Sequence, residues 1–599
     1  MKSILGELSR RVQTAMAKAG FDGDPLVRPS QDEKFGHYQS NCAMGLAKKV
    51  GKKPREVAGA IVEQLDVDDM AEDVQIAGPG FINLRIKPSY LARSLQQIPP
   101  CADLLRDRLG IPEAEKKETV VVDLASPNLA KEMHVGHLRS SVIGDCVARL
   151  LEFQGHTVHR ESHVGDWGTQ FGMLIAHLRS VDPDVVERPD ELVISDLETF
   201  YVDAKRRFDA DEGFQNESRE AVVALQGGDE TTLKIWRAFC DESLRHCHEV
   251  LDRLGAKVVD RGESVYADLM PEVVRRLEEM RSQRGDGFVQ VSDGALCLFM
   301  EGYETRDGDT QPLIVRKSDG GFNYATSDLA AIIQRVEEMK ADRILYVVGL
   351  QQKQHFAMVF DAARQAGWVS DDVVLQHLGF GYMLSPTGQP FKTREGGTVK
   401  LSSLLDEAVD RARKVVEEAQ GEEGKPDRGF TPEQIQQIAE TVGLGAVRYF
   451  DLSHSLTSDY RFDLDTMLSL DGNTAPYMLY AYARIRSIGR KAGIDFATLP
   501  ADARVTLEHP SEINLALKIL QFAETLDTVS QELKPNVLTE YLYDLAKAFS
   551  RFYDKKLGVR VIDASPEDVR TSRLRLCDAT ARVLRLGLHL LGINTLEQM

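Results

Sequence analysis

The sequence predicts an α/β protein with three parts: a central parallel-sheet domain carrying a helical insertion, an N-terminal α/β domain and a C-terminal all-α helix bundle. Three observations carry that prediction. A chain of 599 residues is too long for one ordinary core. In the middle of the chain, buried-strand runs such as ETVVVDLA and DRILYVVGL alternate with amphipathic helical stretches. From about residue 432 onward, nearly every segment has helical periodicity.

The first domain covers residues 1–110. A helical pattern opens it, and a second helix is expected over roughly 37–65, with Lys48, Lys49, Lys52, Lys53 and Arg55 in its middle. VQIAGPGFINLRIK then reads as a strand. Ile82, Leu84 and Ile86 point one way, and Phe81, Asn83 and Arg85 the other. An exposed aromatic beside an amide and a guanidinium can stack on an unpaired base and read it. Taken alone, the strand is read more plainly with Phe81 facing a second small core. The polar run IPEAEKKE (111–118) is a linker.

The second domain covers 111–465. ETVVVDLA runs into the loop SPNLAKEM, then into a helix with Leu138, Val142, Cys146, Leu150 and Phe153 on one stripe, then into the strand HTVHRESHV. That order is the βαβ unit of a Rossmann-like parallel sheet. Residues from about 171 to 310 are helix-rich and charged and read as an insertion. Alternation resumes with the helix DLAAIIQRVEEMK, the strand DRILYVVGL, a further helix and the strand VVLQHLGFGYM. QGEEGKPDRG (420–429) reads as a mobile loop. Residues 466–599 form the bundle.

Composition narrows the class. Apolar residues are 43% and charged residues 28%, which fits a soluble globular chain. The charged start MKSILGELSRRVQTAMAKAG is not a signal peptide, and no apolar run is long enough to span a bilayer. Seven scattered cysteines without a CxxC pair point to a reduced, cytoplasmic protein. A net charge of −20 argues against non-specific nucleic-acid binding but leaves room for a local basic surface. Residues 551–599 hold nine Lys/Arg against six acids; a solvated helical surface explains them equally well.

The chemistry concentrates at HVGH, residues 134–137, where a buried strand's loop meets a helix. A helix N-terminus offers free N–H groups and partial positive charge to a phosphate. His134 and His137 can donate to the same phosphate, and Gly136 lets a base or ribose approach the backbone. A later loop, MLSPTGQPFKTREGGTVKL, carries Lys392, Thr393 and Arg394 among glycines and suits anionic oxygens. Together the two loops suggest a nucleotide held between halves of a split sheet. A zinc reading of Cys240, His246, Cys247 and His248 is weaker, because both cysteines share a helical stripe with Leu244 and Leu251 while the histidines point elsewhere. No metal site is assigned.

HVGH resembles the HIGH signature of class I aminoacyl-tRNA synthetases. VVDLASPNLAKEMHVGHLRSSVIGD and HVGDWGTQFGML are similar to the arginyl-tRNA synthetases, as are AGPGFINL, YATSDLAA and CDATARVLRLGLHLLGI, all in that family's order. The resemblance implies ATP-dependent ligation of L-arginine to the 3′ end of tRNA(Arg) through arginyl-adenylate, with Mg²⁺. It implies that His134 and His137 contact ATP phosphates, and that Gly136 lies beneath the adenosine. Arginine would meet Asp123, Ser126, Asn128, Tyr324, Asp328 and Gln352. Strand-end capping is the plainer reading of Asp123 alone, and helix N-capping that of Asp328. It further implies that Phe81 and Asn83 meet a D-loop base, and that APYMLYAYARIR belongs to an anticodon-binding bundle, where Tyr477, Tyr480, Tyr482, Arg484 and Arg486 suit stacking on splayed bases; a core position is the plainer reading of about half of these tyrosines. A monomer is the family expectation.

The second signature departs from the family. Where KMSTRKG is common, this chain has PFKTREGG, with Pro390 and Glu395 at the lysine positions. Lys131, three residues before His134, is placed to supply the missing charge, while Lys392 and Arg394 remain candidate ATP contacts. Two other readings stay open: another class I synthetase or related nucleotidyltransferase, separated by Tyr324, Asp328 and Gln352, and a non-catalytic tRNA-binding relative, against which the intact HVGH argues.

Overall fold

The structure is a computed structural model describing residues 1–599 except 100, 102, 104–105, 130, 187–196, 286, 305–307, 390, 392–398, 422–428, 501 and 558. Most of the expected loop 420–429 therefore lies outside the described residues. The chain divides into two compact units: residues 114–412 with 454–466, and residues 1–113 with 413–453 and 467–599.

The first of these units is built on a five-stranded parallel sheet. Its spatial order is Val374–His377, Arg343–Tyr346, Thr119–Asp123, Thr157–Val164, Val259–Gly262. Chain order runs outward in both directions from Thr119–Asp123, so the crossovers leave a crevice at the carboxyl ends of Thr119–Asp123 and Arg343–Tyr346. Val120, Val121 and Val122 are fully buried, as a strand covered on both faces requires. The helix Gly136–Phe153 is buried over most of its surface, beyond the single stripe. Its Arg139 is buried too, and Nη1 donates to the carbonyls of Gly381 (2.8 Å) and Ser458 (3.0 Å).

The stretch from 171 to 310 holds the expected helices, Thr169–Val181, Leu197–Ala210, Glu212–Gln226 and Glu230–Leu254. It also contributes the outer strand Val259–Gly262 and two strands, Val289–Ser292 and Ala295–Leu298, of a small antiparallel sheet that Leu313–Arg316, just beyond it, completes. Asp293 and Gly294, both left-handed, close the hairpin in that sheet, so the Asp-Gly pair was its sequence signal. Cys240 and Cys247 are buried in Glu230–Leu254, while His248 Nε2 lies 2.6 Å from Asp260 Oδ2.

The second unit joins the N-terminal domain to the helix bundle. Two sequence expectations change here. The helix expected over 37–65 is a strand, Tyr38–Ser40, followed by two helices, Cys42–Val50 and Pro54–Val62. Gly51, left-handed, ends the first, and Pro54 starts the second. The single expected strand is two, Ala71–Ala77 and Phe81–Ile86, paired antiparallel around a turn in which Gly78 and Gly80 have positive φ. The bundle comprises Pro432–Leu452, Ala475–Ala492, Pro510–Leu520, Phe522–Glu532, Pro535–Phe552 and Glu567–Leu590.

Buried polar contacts fasten the two parts of this unit. Glu524 accepts from the Tyr38 hydroxyl and, through Oε2, from the Leu5 N–H, all at 3.0 Å. Arg582 clasps Asp107 at 2.5 and 2.8 Å. Burial pushes the Glu524 carboxyl up to about 7, against the lowering influence of its hydrogen bonds. The folded state thus holds this proton more tightly than the unfolded chain. The contribution is complete below about pH 4.5 and is lost as pH rises through 7, up to about 3 kcal/mol. Glu524→Gln should flatten the fall in unfolding midpoint between pH 5 and 8; thermal unfolding across that range checks it, and parallel slopes in both proteins would refute it.

Candidate active site

The loop leaving Thr119–Asp123 is strained: Ala125 and Ser126 both have left-handed backbones, at φ 65° and 46°. A buried network holds it. Ser126 Oγ donates to Asp123 Oδ1 at 2.8 Å and accepts from the His163 N–H at 3.0 Å. Asp123 Oδ2 takes Arg335 Nη2 at 2.7 Å, and Arg335 Nε reaches Glu161 Oε2 at 2.9 Å. Asp123, Glu161 and Arg335 are all buried. Both Asp123 oxygens are therefore engaged within the protein. Asn128 stands exposed beyond, on a backbone bridged to Gly165.

HVGH follows. The rings of His134 and His137 lie 4.1 Å apart. His134 Nδ1 accepts from the Gly136 N–H at 3.0 Å, and His137 Nδ1 from the His134 N–H at 3.1 Å. For His134 that pattern leaves the proton on Nε2, whereas His137 Nδ1 also lies 3.2 Å from the His134 carbonyl oxygen, so that its tautomer depends on which of the two contacts it makes. Burial, then Lys131, lowers His134; burial, then His134, pushes His137 down to about 3. Both rings are neutral donors near pH 7. A Cβ on Gly136 would lie 2.8 Å from His134 Cε1, so glycine is what permits the folded-back imidazole. Lys131 is exposed, with Nζ 4.6 Å from the centre of the Tyr201 ring.

The second loop returns to this point. The Val135 N–H donates to the Val399 carbonyl at 3.1 Å, and the Leu401 N–H to the Met133 carbonyl at 3.0 Å. Lys400 pairs with Glu132 at 3.0 Å. Lys392 and Arg394 themselves lie outside the described residues. On the other stem, Met383–Leu384 pairs with Tyr460–Arg461, beside the carbonyls that Arg139 holds.

The opposite wall is the start of the helix Tyr324–Glu337. Asn323 and Thr326 form its capping box, so Asp328 is not the cap. Tyr324 is 69% exposed, and Asp328 Oδ2 meets His355 Nε2 at 2.6 Å. Gln352 is exposed at the end of the turn Leu350–Gln352, after the strand Arg343–Tyr346. The turn Glu263–Tyr266 packs on the same helix. Sequence reading missed Arg335, Glu161 and Arg139. Arg335 had a signal, a cation on the apolar side of an amphipathic helix; the others had none.

In the other unit, Phe81 is half-buried, while Asn83 is only 4% exposed and accepts from Gln39 Nε2 at 2.7 Å. On Ala475–Ala492, Tyr480 and Arg484 are exposed and Tyr477 is half-buried, stacked edge-on to Tyr543. Arg484 lies 5.1 Å from the centre of the Tyr553 ring. Tyr482 of the same helix is a core residue, bonded to Glu597.

Comparison with known proteins agrees with this geometry. Residues 101–464 match the family described as tRNA synthetases class I (R), catalytic domain; residues 6–86 match the arginyl tRNA synthetase N-terminal domain; and residues 478–599 match the DALR anticodon binding domain. An arginine–tRNA ligase of Nostoc sp. is 51% identical and one of Picosynechococcus sp. 49%, each over the whole of both chains. Among solved structures, arginyl-tRNA synthetase from Plasmodium falciparum superposes with a TM-score of 0.85 at 30% identity, and that from Thermus thermophilus with 0.80 at 25%, again over both whole chains. With its catalytic, N-terminal and C-terminal parts all matched, the chain belongs to the arginyl-tRNA synthetase family of class I.

Proposed function

We propose that the crevice between HVGH and the helix Tyr324–Glu337 is where this chain, an ATP-dependent arginine–tRNA ligase, forms arginyl-adenylate and passes arginine to tRNA(Arg). The observation that carries this reading is the pair of neutral imidazoles at a helix start, across the sheet's switch point from Tyr324 and Asp328. The arginine carboxylate attacks the α-phosphate of ATP and pyrophosphate leaves. The 2′-hydroxyl of the terminal adenosine then attacks the arginyl carbonyl and AMP leaves. Nε2–H of His134, and of His137 in the tautomer that accepts at Nδ1, donates to phosphate oxygens as charge shifts in flight, and Gly136 lies under the adenosine. Ser126, Asn128 and Gln352 orient the amino acid, with Asp123 fixing Ser126 from below; Asp328 and Tyr324 receive the guanidinium.

Lys131, beside HVGH, replaces the lysines that Pro390 and Glu395 displace; Lys392 and Arg394 reach the phosphates from the second loop. Mg²⁺ arrives with the nucleotide. Among the described residues no group of three or more His, Cys, Asp or Glu side chains is placed to hold a metal ion. In residues 1–110, Phe81 stacks on a D-loop base, with Asn83 supporting it through Gln39; in 466–599, Tyr477, Tyr480 and Arg484 form the anticodon surface. The catalytic domain lies within residues 111–465, a span whose helix Pro432–Leu452 packs in the other compact unit. A cytoplasmic monomer completes the reading. None of the seven cysteines forms a disulfide, and among the described residues no helix is long and apolar enough to cross a membrane.

Charging of total tRNA with radiolabelled arginine tests the whole; loading of a different amino acid in its place would overturn it. Lys131→Ala should slow tRNA-dependent pyrophosphate exchange by about tenfold or more, since a charge-assisted phosphate contact is lost; a rate within a few-fold of the parent would return the role to the second loop. His137→Ala should cost about 100-fold in kcat. Because the folded pKa of His137 is depressed to about 3, its neutral form persists on acidification. At saturating arginine and ATP, kcat should therefore show no histidine inflection from His137 between pH 8 and 6.

A further inference from the structure

Resting on the reading of Lys131 as the cation that meets ATP beside HVGH, its side chain poses a physical problem. A flexible, exposed lysine has to be held near the phosphate without losing its charge beforehand. A carboxylate would hold it but would also neutralise it. The adjacent acid, Glu132, is engaged elsewhere, with Lys400 at 3.0 Å. Among the described residues Lys131 forms no ion pair. Its main chain is fixed, because its N–H donates to the Asn128 carbonyl at 3.1 Å. Its charge reaches His134, where it adds to burial in lowering that ring's pKa.

What holds the ammonium is an aromatic face. Nζ lies 4.6 Å from the centre of the Tyr201 ring, well inside cation–π range. The ring attracts the cation through its quadrupole and carries no net charge, so the lysine keeps its full charge for an incoming anion. Tyr201 is half-buried on the helix Leu197–Ala210 of the insertion. That helix is firmly seated. Phe200 packs its ring 4.8 Å from His177 and 6.0 Å from Phe239, centre to centre. Ala204, one turn on, is fully buried, and the Arg207 guanidinium lies 4.2 Å from the centre of the Phe214 ring. The Tyr201 ring therefore forms a shelf whose position is set by packing.

We propose that Tyr201 is a positioning residue for adenylate formation, its ring face holding the Lys131 ammonium charged and unpaired beside HVGH until an ATP phosphate takes it. Tyr201 acts through Lys131 and touches no substrate. Without the shelf the lysine is still present, but it samples many rotamers, and ordering it falls on the ATP-binding step. A helix of the insertion, far along the chain from HVGH, thereby takes part in the phosphate site.

Tested on the full chain by tRNA-dependent pyrophosphate exchange, Tyr201→Leu should lower kcat/KM for ATP about 3- to 10-fold, as loss of a cation–π contact does. The KM for arginine should stay unchanged in that variant, which also shows the fold intact. Tyr201→Phe keeps the ring face and should remain within about twofold of the parent. Once Lys131→Ala has removed the cation, adding Tyr201→Leu should change the rate by less than about twofold. A Tyr201→Leu rate within about twofold of the parent would overturn the proposal. So would equal losses from Tyr201→Phe and Tyr201→Leu, or a Tyr201→Leu loss that multiplies in full with that of Lys131→Ala. If Lys131→Ala alone left exchange within a few-fold of the parent, the reading of Lys131 as the phosphate cation would fail first, and the shelf with it.

Discussion

One buried cation sets the geometry on which the catalytic unit depends. Arg335 has no exposed surface, yet it touches Asp123 at the end of one strand and Glu161 on the next, and its guanidinium lies 5.2 Å from the centre of the Tyr346 ring. Such a cluster adds little net stability, because desolvating three charges offsets most of their attraction. Its consequence is uniqueness of arrangement: removing the cation would leave two carboxylates buried side by side. Tyr324, Asp328 and Arg335 fall on one stripe of their helix, at i, i+4 and i+11. The upper turns of that stripe face the crevice, and the lower turn is bolted to the sheet. Any shift of the helix that moved Asp328 would pull Arg335 from both acids. The same bolt fixes Asp123, and through it Ser126 in its left-handed conformation.

The phosphate end is governed by a second fixture of the same kind. Arg139, buried in the HVGH helix, spends Nη1 on two carbonyls beside the strands Met383–Leu384 and Tyr460–Arg461. The main chain of Met133 to Val135 pairs with Val399 to Leu401. The first signature and the stems of the second loop are thus one assembly, whatever side chains the loop carries. This explains how the family's lysines can be replaced here without loss of the scaffold. Under the proposed reading, a phosphate at His134 and His137 would draw its counter-charge from Lys131 on the same loop, whose charge already acts on His134. Neutral imidazoles suit such a division, since hydrogen-bond direction comes from the rings and charge from lysine.

The sequence made the architecture legible wherever periodicity was long. Valines 120 to 122 announced a strand covered on both faces, and the helical run after residue 432 announced the bundle. It misled where punctuation was short. Gly51 and Pro54 divide what reads as one helix, and Gly78-Pro79-Gly80 folds one apparent strand into a hairpin. In the candidate site, HVGH stood out locally at a helix start, whereas Asn128, Tyr324, Asp328 and Gln352 were singled out only through the family resemblance. Glu161 and Arg139 carried no signal, since their partners come from residues far away in the chain. Asp123 shows the limit most clearly: its position next to the loop SPNLAKEM is plain in the sequence, but its commitment to Arg335, 212 residues on, is visible only in three dimensions.

The remaining unit obeys the same logic at larger scale. Its N-terminal domain and helix bundle are far apart in sequence, yet Tyr38 and Leu5 close on Glu524, and Asp107 on Arg582, all in buried surroundings. Apolar contact alone tolerates sliding, whereas a buried carboxyl group held by two donors, the Tyr38 hydroxyl and the Leu5 N–H, does not. Tyr38 pairs with Leu84 on the sheet that carries Phe81, one residue from the Gln39–Asn83 contact. Glu524 is packed among the bundle helices. A displacement of Phe81 relative to the bundle would therefore have to break the Tyr38–Glu524 bonds. If Phe81 and the Tyr480–Arg484 face meet different parts of one tRNA, their separation is set by this joint and not by a flexible linker. Such a ruler favours nucleic acids of the right fold, in keeping with a chain whose net charge of −20 gives little indiscriminate attraction for phosphate.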